Sequence, residues 1–474
     1  MAELVSADYL VVGAGAMGMA FVDTLLSDTH ATVAIADRYH RPGGHWNISY
    51  PFVRLHQPSA FYGVNSKHLG QDKIDRIGWN RGLHELATSG EVCAYYSQVM
   101  DQDFLPSGRV AYFPKCEYNG DGEWRSLVSG KTFHVGKRTR IVDATFMRVT
   151  VPSMRPPPYA VASDVHFVTP NDLIKTSRPH ANYTVIGSGK TGIDACLWLL
   201  GIGVEASSIT WIMPRDAWLL DRASIQPGPP SAQRQSGMTK QGEAIIAATS
   251  VNDLFKRLEA CGSLLRISDQ HWPSMYRCAT VSRSELAELQ KIENVIRKGR
   301  VLSIGADEIK LESGNYTPTP DTLYIDCSAD GLAKHTSVPV FNGNKIVLQS
   351  VRQCQQVFSA AFIAHIDAVY DSGDDSVKND MCRSIPHPDE AVDWLVVAIQ
   401  TYRNTMRWNA EPRTRAWLAQ ARLDMFKIFF PPLPEDSAEL RTVLGMLDMQ
   451  LRALADKLED LLGDLPQKKT ARSS

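Results

Sequence analysis

Two short apolar runs, each followed by a glycine-rich turn, are the most informative pattern in this sequence. The first run is YLVV at residues 9–12, and it is followed by GAGAMG at 13–18 and by MAFVDTLLSD, in which apolar residues recur at helical spacing. A further apolar run, ATVAIAD at 31–37, ends in an acidic residue. Uninterrupted apolar strands are typical of parallel sheets that helices cover on both faces. The pattern therefore predicts a strand, turn, helix and strand over residues 9–37.

The same order of elements recurs far along the chain. YTVI at 183–186 is followed by GSGKTG at 187–192, by the helical pattern IDACLWLLGIG and by the apolar run SITWIMP at 208–214. Parallel strands joined through a helix are the unit from which dinucleotide-binding domains are built. Two such units predict two nucleotide-binding domains.

The remaining segments predict connections and a helical end. Alternating polarity and turn residues between 108 and 145 predict a β-meander, and three consecutive prolines within 153–161 predict a stiff linker. From about residue 388 the apolar spacing is helical, and residues 438–465 form an amphipathic pattern. We expect the apolar stripe of this last helix to pack within the protein or between copies in a homo-oligomer.

Composition and charge narrow the class of protein. The chain has 474 residues, 44% of them hydrophobic, and a formal net charge of −2. A length of roughly 150 residues per domain predicts about three domains or subdomains. Without a net positive charge, neither nucleic acid nor an anionic membrane is an expected partner. No apolar stretch approaches about 18 residues, and the N-terminal run is too short for a signal peptide. We therefore expect a cytoplasmic protein.

The eight cysteines are scattered along the chain, without a CxxC pair and without zinc-ligand spacing of Cys and His. This distribution predicts no metal site. It suits a reducing compartment, in which most cysteines are small buried apolar groups. It also argues against a disulfide reductase, which needs two thiols near its flavin.

The turn GSGKTG at 187–192 has two interpretations. A phosphate loop requires GxxxxGK[ST], which places a glycine at position 184, where this chain has Thr184. The dinucleotide motif GxGxxG fits instead, with Gly187, Gly189 and Gly192 directly between a strand and a helix. In that motif the first glycine forms the tight turn, the second lets a diphosphate approach the backbone, and the third lets the helix pack on the strand. The helix N-terminus then holds the anion.

Charged residues at the strand ends distinguish the two units. Asp37 ends the second strand of the first unit, where a carboxylate can accept hydrogen bonds from unphosphorylated ribose, as in FAD or NAD. Arg215 follows the second strand of the second unit, where a guanidinium group would pair with the 2′-phosphate of NADP. Asp216 beside it keeps NAD as an alternative coenzyme at that site.

The order of these motifs resembles that of the class B flavin monooxygenases, which include the flavin-containing and the Baeyer–Villiger monooxygenases. DRYHRPGGHW at 37–46 resembles the family's acidic residue followed by GGxW, and YPFVRLHQPSAFY at 50–62 resembles its YPGxRxD stretch. GSGKTGID resembles the second motif, including the acidic Asp194 after the last glycine. VDATF at 142–146 and DCSADG at 326–331 stand where the family has ATG-type turns between its domains.

The chain also departs from the family's pattern. Phe52 replaces the glycine of YPGxRxD, and His56 replaces its aspartate. The fingerprint FxGxxxHxxx[FYW] is absent before the second motif, and no late GD motif is present. Residues 347–367 are the candidate for holding the flavin in place of the GD motif. These departures indicate a divergent member.

The resemblance implies roles for three groups of residues. The expected FAD contacts are Gly13, Gly15, Gly18, Asp37, Arg38, Gly44 and Trp46. The expected NADPH contacts are Gly187, Ser188, Gly189, Lys190, Thr191, Gly192 and Arg215. The expected catalytic residues, as hydrogen-bond donors beside the flavin, are Arg54, His56, Gln57 and Asn65.

The fold expected from the resemblance is α/β, with two Rossmann-like domains and a C-terminal helical region. The FAD-binding domain is expected at 1–155 and 321–387, with the NADPH-binding domain inserted at 156–320 and the helical region at 388–474. The implied activity is an FAD- and NADPH-dependent monooxygenase that inserts one oxygen atom from O2 into a small organic substrate through a flavin C4a-peroxide. Two alternatives stay open: an FAD-dependent NAD(P)H reductase or dehydrogenase without oxygen insertion, and a non-catalytic dinucleotide-binding protein.

Overall fold

The computed structural model describes most of the chain in a few long ranges. They are residues 2–228, 232–329, 335–370, 375–427, 433–434 and 437–464. The last two residues of the DCSADG stretch, 330 and 331, and residue 465 of the last expected helix lie outside these ranges.

The strands are numbered in chain order. They are β1 Glu3–Val5, β2 Tyr9–Val12, β3 Val33–Ala36, β4 Val110–Phe113, β5 Cys116–Gly120, β6 Glu123–Ser126, β7 Thr132–Val135, β8 Arg140–Asp143, β9 Ala160–Val161, β10 His166–Val168, β11 Asn182–Ile186, β12 Ile209–Ile212, β13 Ala217–Asp221, β14 Met275–Val281, β15 Val295–Ile296, β16 Val301–Ile304, β17 Ile309–Leu311, β18 Gly314–Tyr316, β19 Thr322–Asp326, β20 Phe341–Asn342 and β21 Lys345–Val347.

The α-helices are numbered in the same way. They are α1 Ala16–Asp28, α2 Ser89–Gln98, α3 Pro170–Leu173, α4 Lys190–Gly201, α5 Ala232–Ala247, α6 Val251–Ala260, α7 Arg283–Leu289, α8 Gln356–Val369, α9 Asp375–Met381, α10 Asp393–Ala410, α11 Pro412–Gln420 and α12 Ala438–Gly463. Short 3-10 turns occur at Gly44–Ile48, Ser59–Phe61, Leu105–Ser107, Pro152–Met154, Ala206–Ser208 and Arg222–Ser224, and a π-helical turn at Val99–Phe104 continues α2.

The first large sheet has six strands in the order β20-β21-β8-β2-β3-β4. Neighbours from β21 to β4 pair in parallel, and β20 pairs antiparallel to β21. Helices α1 and α8 pack together on one face of this sheet. The other face is covered by a four-stranded sheet of order β1-β7-β6-β5, whose buried Trp124 packs against Leu10 and Ala34. Because both faces of this sheet are covered, β2 and β3 are buried on both sides and are apolar throughout.

The second large sheet has five strands in the order β10-β19-β11-β12-β15, and every pair in it is parallel. Its strand Thr322–Asp326, which we expected to return to the first domain, pairs instead with Asn182–Ile186. The sequence could not show this, because an apolar strand of five residues fits the centre of either parallel sheet. The expected boundary at residue 320 therefore falls too early, since β19 belongs to the second sheet.

The expected β-meander is confirmed for its central part. Strands β5, β6 and β7 form consecutive antiparallel pairs. The flanking strands β4 and β8 instead join the first large sheet in parallel pairing. The proline-rich linker contains the 3-10 turn Pro152–Met154 and leads into β9.

The C-terminal helices pack on the rest of the chain. In α12 the side chain of Ser437 caps the helix by accepting a hydrogen bond of 3.0 Å from the Leu440 amide. The apolar stripe of α12, including Leu454 and Leu458, is buried in a cluster with residues of α5, α6 and α10. The expected packing face is thus used within the chain. In the described ranges no helix is long and apolar enough to cross a membrane.

One disulfide bond joins distant parts of the chain. It links Cys278 in β14 to Cys354, which precedes α8, across a sequence separation of 76 residues. The other six cysteines are free, and five of them are buried. The expectation of buried, unpaired cysteines therefore holds for these five and is wrong for Cys278 and Cys354, because folding brings together residues that show no motif in sequence.

Candidate functional site: two glycine turns and the segment between them

The first glycine turn connects β2 to α1 in the geometry that its sequence predicts. Gly13 has φ of +104°, and its amide donates to the carbonyl of Ala36 over 2.8 Å. A Cβ atom on Gly18 would lie 2.0 Å from the carbonyl oxygen of Gly13, so only glycine lets α1 approach the turn. Gly15 is the N-cap residue of α1, and no side chain of the described residues accepts a hydrogen bond from the amides at the start of this helix. The first-turn amide groups are thus available to an anion.

Asp37 lies directly behind this turn. Its carboxylate accepts hydrogen bonds from the amides of Ala14, at 2.5 Å, and Tyr39, at 2.6 Å. The side chain is 3% exposed, and burial raises the pKa of its carboxyl group. Asp37 therefore holds the backbone of the turn, in addition to the ribose contact that we expected from sequence. Arg38, the neighbouring expected contact, is exposed.

The loop of Gly44 packs directly on the first turn. A Cβ atom on Gly44, which has φ of +56°, would lie 2.8 Å from the Cα atom of Gly15. The following Trp46 is 9% exposed, and its indole Nε1 donates to the hydroxyl of Tyr62 over 2.7 Å. The structure thus places Gly44 against Gly15, with Trp46 two residues further along the chain. Their expected contact with a flavin stays a prediction.

The second glycine turn repeats this geometry between β11 and α4. Gly187 has φ of +121°, and a Cβ atom there would lie 2.7 Å from the carbonyl oxygen of Cys327. A Cβ atom on Gly192 would lie 2.0 Å from the carbonyl oxygen of Gly187. By contrast, a Cβ atom on Gly189 would meet no atom of the described chain within 4 Å. The open space faces the uncapped start of α4, where a diphosphate would lie.

The polar residues of the second turn differ in their surroundings. Ser188 is buried, and Thr191 is half-buried at the start of α4. The ammonium group of Lys190 pairs with the carboxylate of Asp194 one turn along the helix. The Lys190 ammonium group is thus already paired with Asp194, and a coenzyme phosphate would interact with Lys190 alongside that carboxylate.

The segment after Gly44 reaches the second turn. The hydroxyl of Tyr50 donates to Asp194 over 2.7 Å, and the ring of Phe52 stacks on Trp198 with centroids 5.0 Å apart. The side-chain amide of Asn171 donates to the carbonyl of Ile48 over 3.0 Å. Residues 44–57 thus contact both glycine turns. Phe52, a departure from the family's glycine, is explained by this contact with α4.

The expected catalytic residues do not all face this region. His56 lies near Lys190 and Arg222, and its buried Nδ1 atom has no hydrogen-bond partner in the described residues. Arg54 is exposed, with a contact of 3.5 Å from its guanidinium to the carbonyl of Leu86. Gln57 follows His56 and is half-buried. Of these three half-buried or exposed residues, His56 is the one with a buried polar atom that has no hydrogen-bond partner in the described residues.

Asn65 is used to anchor the C-terminal region. Its side-chain oxygen accepts a hydrogen bond of 3.0 Å from the amide of Arg422. The Arg422 guanidinium in turn donates to backbone carbonyls of the same loop, including those of Tyr62, Val64 and Lys67. The expected catalytic role of Asn65 competes with this structural role, which sequence could not show because the partner is 357 residues away.

Arg215 is held by carboxylates in this structure. Its guanidinium donates to Asp389 over 2.7 Å and to Glu390 over 2.8 Å. The neighbouring Asp216 accepts two hydrogen bonds from Arg297, at 2.9 and 3.1 Å. The 2′-phosphate that we expected at Arg215 would therefore have to replace a carboxylate, and Glu390 is the more exposed of the two partners.

Two features of the site were beyond the sequence motifs. Arg222 is 1% exposed and donates to the carbonyl of His56 over 2.9 Å and to Glu285 over 2.7 Å, so it fixes the backbone at His56.

The second feature is α8, whose His365 lies 3.0 Å from Asp28 at the far end of α1. The start of α8 therefore lies at the first-turn end of the sheet. The flavin-holding role of residues 347–367 stays a prediction.

A cluster of potential metal ligands lies away from both turns. Ligand atoms of His166, His180 and Asp321 lie within 4.8 Å of one another. Arg178 donates to both carboxylate oxygens of Asp321, at 2.7 and 2.9 Å, and contacts His166 at 3.1 Å. Its positive charge inside the cluster opposes a cation there.

Together, the two parallel sheets and their glycine turns define a protein with two Rossmann-like domains. No family model matches the chain. The chain is 51% identical over 464 residues to uncharacterized protein Rv2000 of Mycobacterium tuberculosis strain H37Rv, covering 97% of this chain and 85% of that protein. Uncharacterized protein Mb2023 of Mycobacterium bovis aligns with the same identity and coverage. The chain belongs to the family of these mycobacterial proteins.

Solved structures that align with the chain include monooxygenases. Cyclohexanone-bound cyclohexanone monooxygenase in its Rotated conformation aligns with a TM-score of 0.45 and 12% identity, covering 77% of this chain and 88% of that chain. Oxidized steroid monooxygenase bound to NADP aligns with a TM-score of 0.43 and 14% identity, covering 96% of this chain and 98% of that chain. At such identities the similarity concerns the chain path and not the reaction.

Proposed function

We propose that this protein is a cytoplasmic FAD- and NADPH-dependent monooxygenase that transfers one oxygen atom of O2 to a small organic substrate. One observation carries the proposal: residues 44–57 contact both glycine turns. Gly44 packs on Gly15 of the first turn, and Tyr50 bonds to Asp194 in the helix of the second. A single short segment therefore connects two sites that each suit a dinucleotide.

The residues present fit the two coenzymes. At the first turn, Gly15 and the uncapped start of α1 offer backbone amides to the diphosphate of FAD, and Asp37 fixes that backbone. At the second turn, the space at Gly189 and the start of α4 suit the diphosphate of NADPH. When bound, FAD would supply the redox chemistry, accepting two electrons from NADPH and activating O2.

The chain itself would position groups between the turns. Burial, together with the charges of Lys190 and Arg222, lowers the pKa of His56 to about 3. His56 is therefore neutral at physiological pH, and its unpartnered Nδ1 can make one further hydrogen bond as donor or acceptor. Arg222 holds the His56 carbonyl and thereby fixes the backbone from which the imidazole projects. We propose His56 as the residue that binds a polar atom of the substrate or of O2.

A second candidate function is an NAD(P)H oxidoreductase without oxygen insertion. It is favoured by the surroundings of Asn65 and Arg54, since Asn65 is bonded to Arg422 and Arg54 is exposed. Because Arg54 faces solvent and Asn65 is held at Arg422 through its side-chain oxygen, neither is fixed as a donor that would direct oxygen to a substrate. The same two coenzymes would then serve a simpler electron transfer.

One experiment separates the candidates. The purified protein is examined for bound flavin by absorbance, and NADPH oxidation is then followed with a panel of amines, sulfides and ketones under isotopically labelled O2. Label in an organic product supports the monooxygenase. Flavin-dependent NADPH oxidation that yields only hydrogen peroxide supports the second candidate. Protein that binds no flavin, even after reconstitution with FAD, refutes both.

A further inference from the structure

The disulfide between Cys278 and Cys354 lies at an irregular point of the fold. The pairing of β13 with β14 shifts register between Trp218 and Leu220, so the residues around Cys278 form a bulge. Bulges redirect side chains and are frequent beside functional sites. Here the bulge turns Cys278 toward Cys354, with Cα atoms 6.6 Å apart. A neighbouring hydrogen bond of 2.7 Å from Gln353 to the Tyr276 hydroxyl holds the same two segments together.

Both cysteines also have uncommon backbone conformations. Cys278 has φ of +56° and Cys354 has φ of +49°, values in the left-handed region that L-residues with a Cβ rarely adopt. Such conformations persist where the surrounding structure imposes them, and they concentrate at functional sites. That both members of one pair have them indicates a bond held under backbone strain, and strained disulfides are the more readily reduced.

Five of the six remaining thiols are protected from the same chemistry. Burial raises the pKa of these five: Cys93, Cys116, Cys196, Cys327 and Cys382. Since the thiolate is the reactive form, these residues are poor nucleophiles. Cys354, by contrast, is half-buried and within reach of small molecules. Cys261 is also half-buried, but it has no cysteine partner, so reversible disulfide chemistry within the chain is expected at Cys278 and Cys354.

We propose that Cys278 and Cys354 form a redox-active pair that opens with low-molecular-weight thiols and closes with peroxide. In opening, an external thiolate attacks the Cys354 sulfur, the bond between the two sulfurs breaks, and Cys278 leaves as a thiolate that takes a proton. A second external thiol then releases Cys354 as a thiol and departs as a disulfide, so the pair gains two electrons and two protons.

In closing, the Cys354 thiolate attacks hydrogen peroxide to give a sulfenic acid, and the Cys278 thiolate displaces its hydroxide to form the disulfide. Two thiols and one peroxide thus give one disulfide and two waters. The closed pair joins β14 to the segment that leads into α8. Whether the disulfide is closed or open therefore controls how firmly the strand pair β13–β14 is joined to the segment that follows the first large sheet.

The test counts thiols in the folded, full-length protein. Samples incubated with dithiothreitol or with hydrogen peroxide are freed of reagent, denatured, alkylated and weighed by mass spectrometry. With eight cysteines in the chain and six outside the pair, we expect eight alkylations after reduction and six after oxidation. Peptide mapping of the oxidised sample should find Cys278 joined to Cys354, and the melting temperature should fall on reduction.

Substitutions give matched controls. Cys354→Ser should give the same count after both treatments, and Cys278→Ser should lose at most one alkylation on oxidation, as a sulfenic acid at Cys354. Cys261→Ser, outside the pair, should keep the difference of two. The proposal is overturned if wild-type protein gives the same count after both treatments. It is equally overturned if peptide mapping of the oxidised sample finds a disulfide between other cysteines. Both of these outcomes are measured on wild-type protein, so they do not depend on whether a variant folds.

Discussion

The hydroxyl of Tyr50 donates a hydrogen bond of 2.7 Å to Asp194, and this bond joins the two halves of the proposed site. Tyr50 follows the loop that packs on the first glycine turn, and Asp194 lies in the helix that starts at the second. Asp194 also pairs with Lys190, so one carboxylate receives a neutral and a charged donor. The arrangement of Lys190 beside the second turn therefore depends on a residue from the first domain.

Replacing Tyr50 by Phe should destabilise the protein. The change removes a donor from a carboxylate that is 12% exposed, and hydrogen bonds to charged groups contribute about 1.5–3 kcal/mol. We expect a loss of about 1–2 kcal/mol in the free energy of unfolding, measured by urea denaturation, and a weaker affinity for NADPH.

Tyr112→Phe is the matched control. The Tyr112 hydroxyl is buried and has no hydrogen-bond partner in the described residues. Its removal should leave stability unchanged or raise it slightly. Equal losses from Tyr50→Phe and Tyr112→Phe would show that the bond to Asp194 contributes nothing specific.

The sequence was most informative where the structure depends on neighbours in the chain. A glycine turn depends mainly on local backbone conformation, and Gly18 and Gly192 each approach the glycine that starts their own turn. The four glycines Gly13, Gly18, Gly187 and Gly192 could therefore be assigned from their spacing. The amphipathic α12 could be predicted for the same reason, since its period is local. These elements have the bounds and geometry that their patterns indicated.

Partners that lie far apart in sequence could not be predicted. The acidic partners of Arg215 come from residues 389–390, and Asn65 bonds to the backbone of Arg422. No spacing rule connects such positions, because their contact arises from the packing of whole elements. The sequence therefore indicated which residues carry useful chemistry, while the structure shows which of them are already bound to others.

Gly189→Ala should weaken coenzyme binding without harming the fold. Gly189 has φ of −78°, which alanine adopts readily, and an added methyl group meets no described atom within 4 Å. The methyl group would instead occupy the space proposed for the diphosphate of NADPH. Overpacking of that size costs about 1–3 kcal/mol, so the Kd for NADPH, measured by fluorescence titration, should rise about tenfold or more.

Alanine substitutions of two other glycines serve as controls for this result. Gly445→Ala adds a methyl group in open space inside α12, where alanine favours the helix by about 1 kcal/mol, so it should raise stability slightly and leave NADPH affinity unchanged. Gly192→Ala places a methyl group 2.0 Å from a backbone oxygen and should impair folding. If Gly189→Ala binds NADPH as tightly as wild type, the second turn does not hold its diphosphate.

The coenzyme preference should depend on Arg215 and Glu390 in opposite directions. Arg215→Ala should raise the Michaelis constant for NADPH about tenfold and leave that for NADH nearly unchanged, because only NADPH carries the 2′-phosphate. Glu390→Gln should improve NADPH relative to NADH, because it removes a carboxylate that competes with the phosphate for Arg215.

Arg452→Ala controls for the loss of one surface charge. Arg452 pairs with Asp448 on α12, and its removal should affect both coenzymes alike. Should Arg215→Ala and Glu390→Gln leave the ratio of the two Michaelis constants unchanged, Arg215 serves only to bind the 389–390 segment.

His56 should make the protein lose stability in mild acid. Its pKa in the folded protein is about 3, below the ordinary 6.5 of the unfolded chain. Between these values the unfolded state binds the proton that the folded state excludes, so stability is full above pH 6.5 and falls as the pH decreases toward 3. The slope from one such group approaches about 1.4 kcal/mol per pH unit.

Since burial also lowers the pKa of His387, to about 4, the measurement must compare variants. Urea unfolding of His56→Asn at pH 7.5, 6.5 and 5.5 should show a shallower decline than wild type, whereas His30→Asn, at an exposed position, should follow wild type. Parallel declines in all three proteins would mean that His56 is accessible to protons in the folded state, which would also remove the basis for its proposed role as a fixed neutral hydrogen-bonding group.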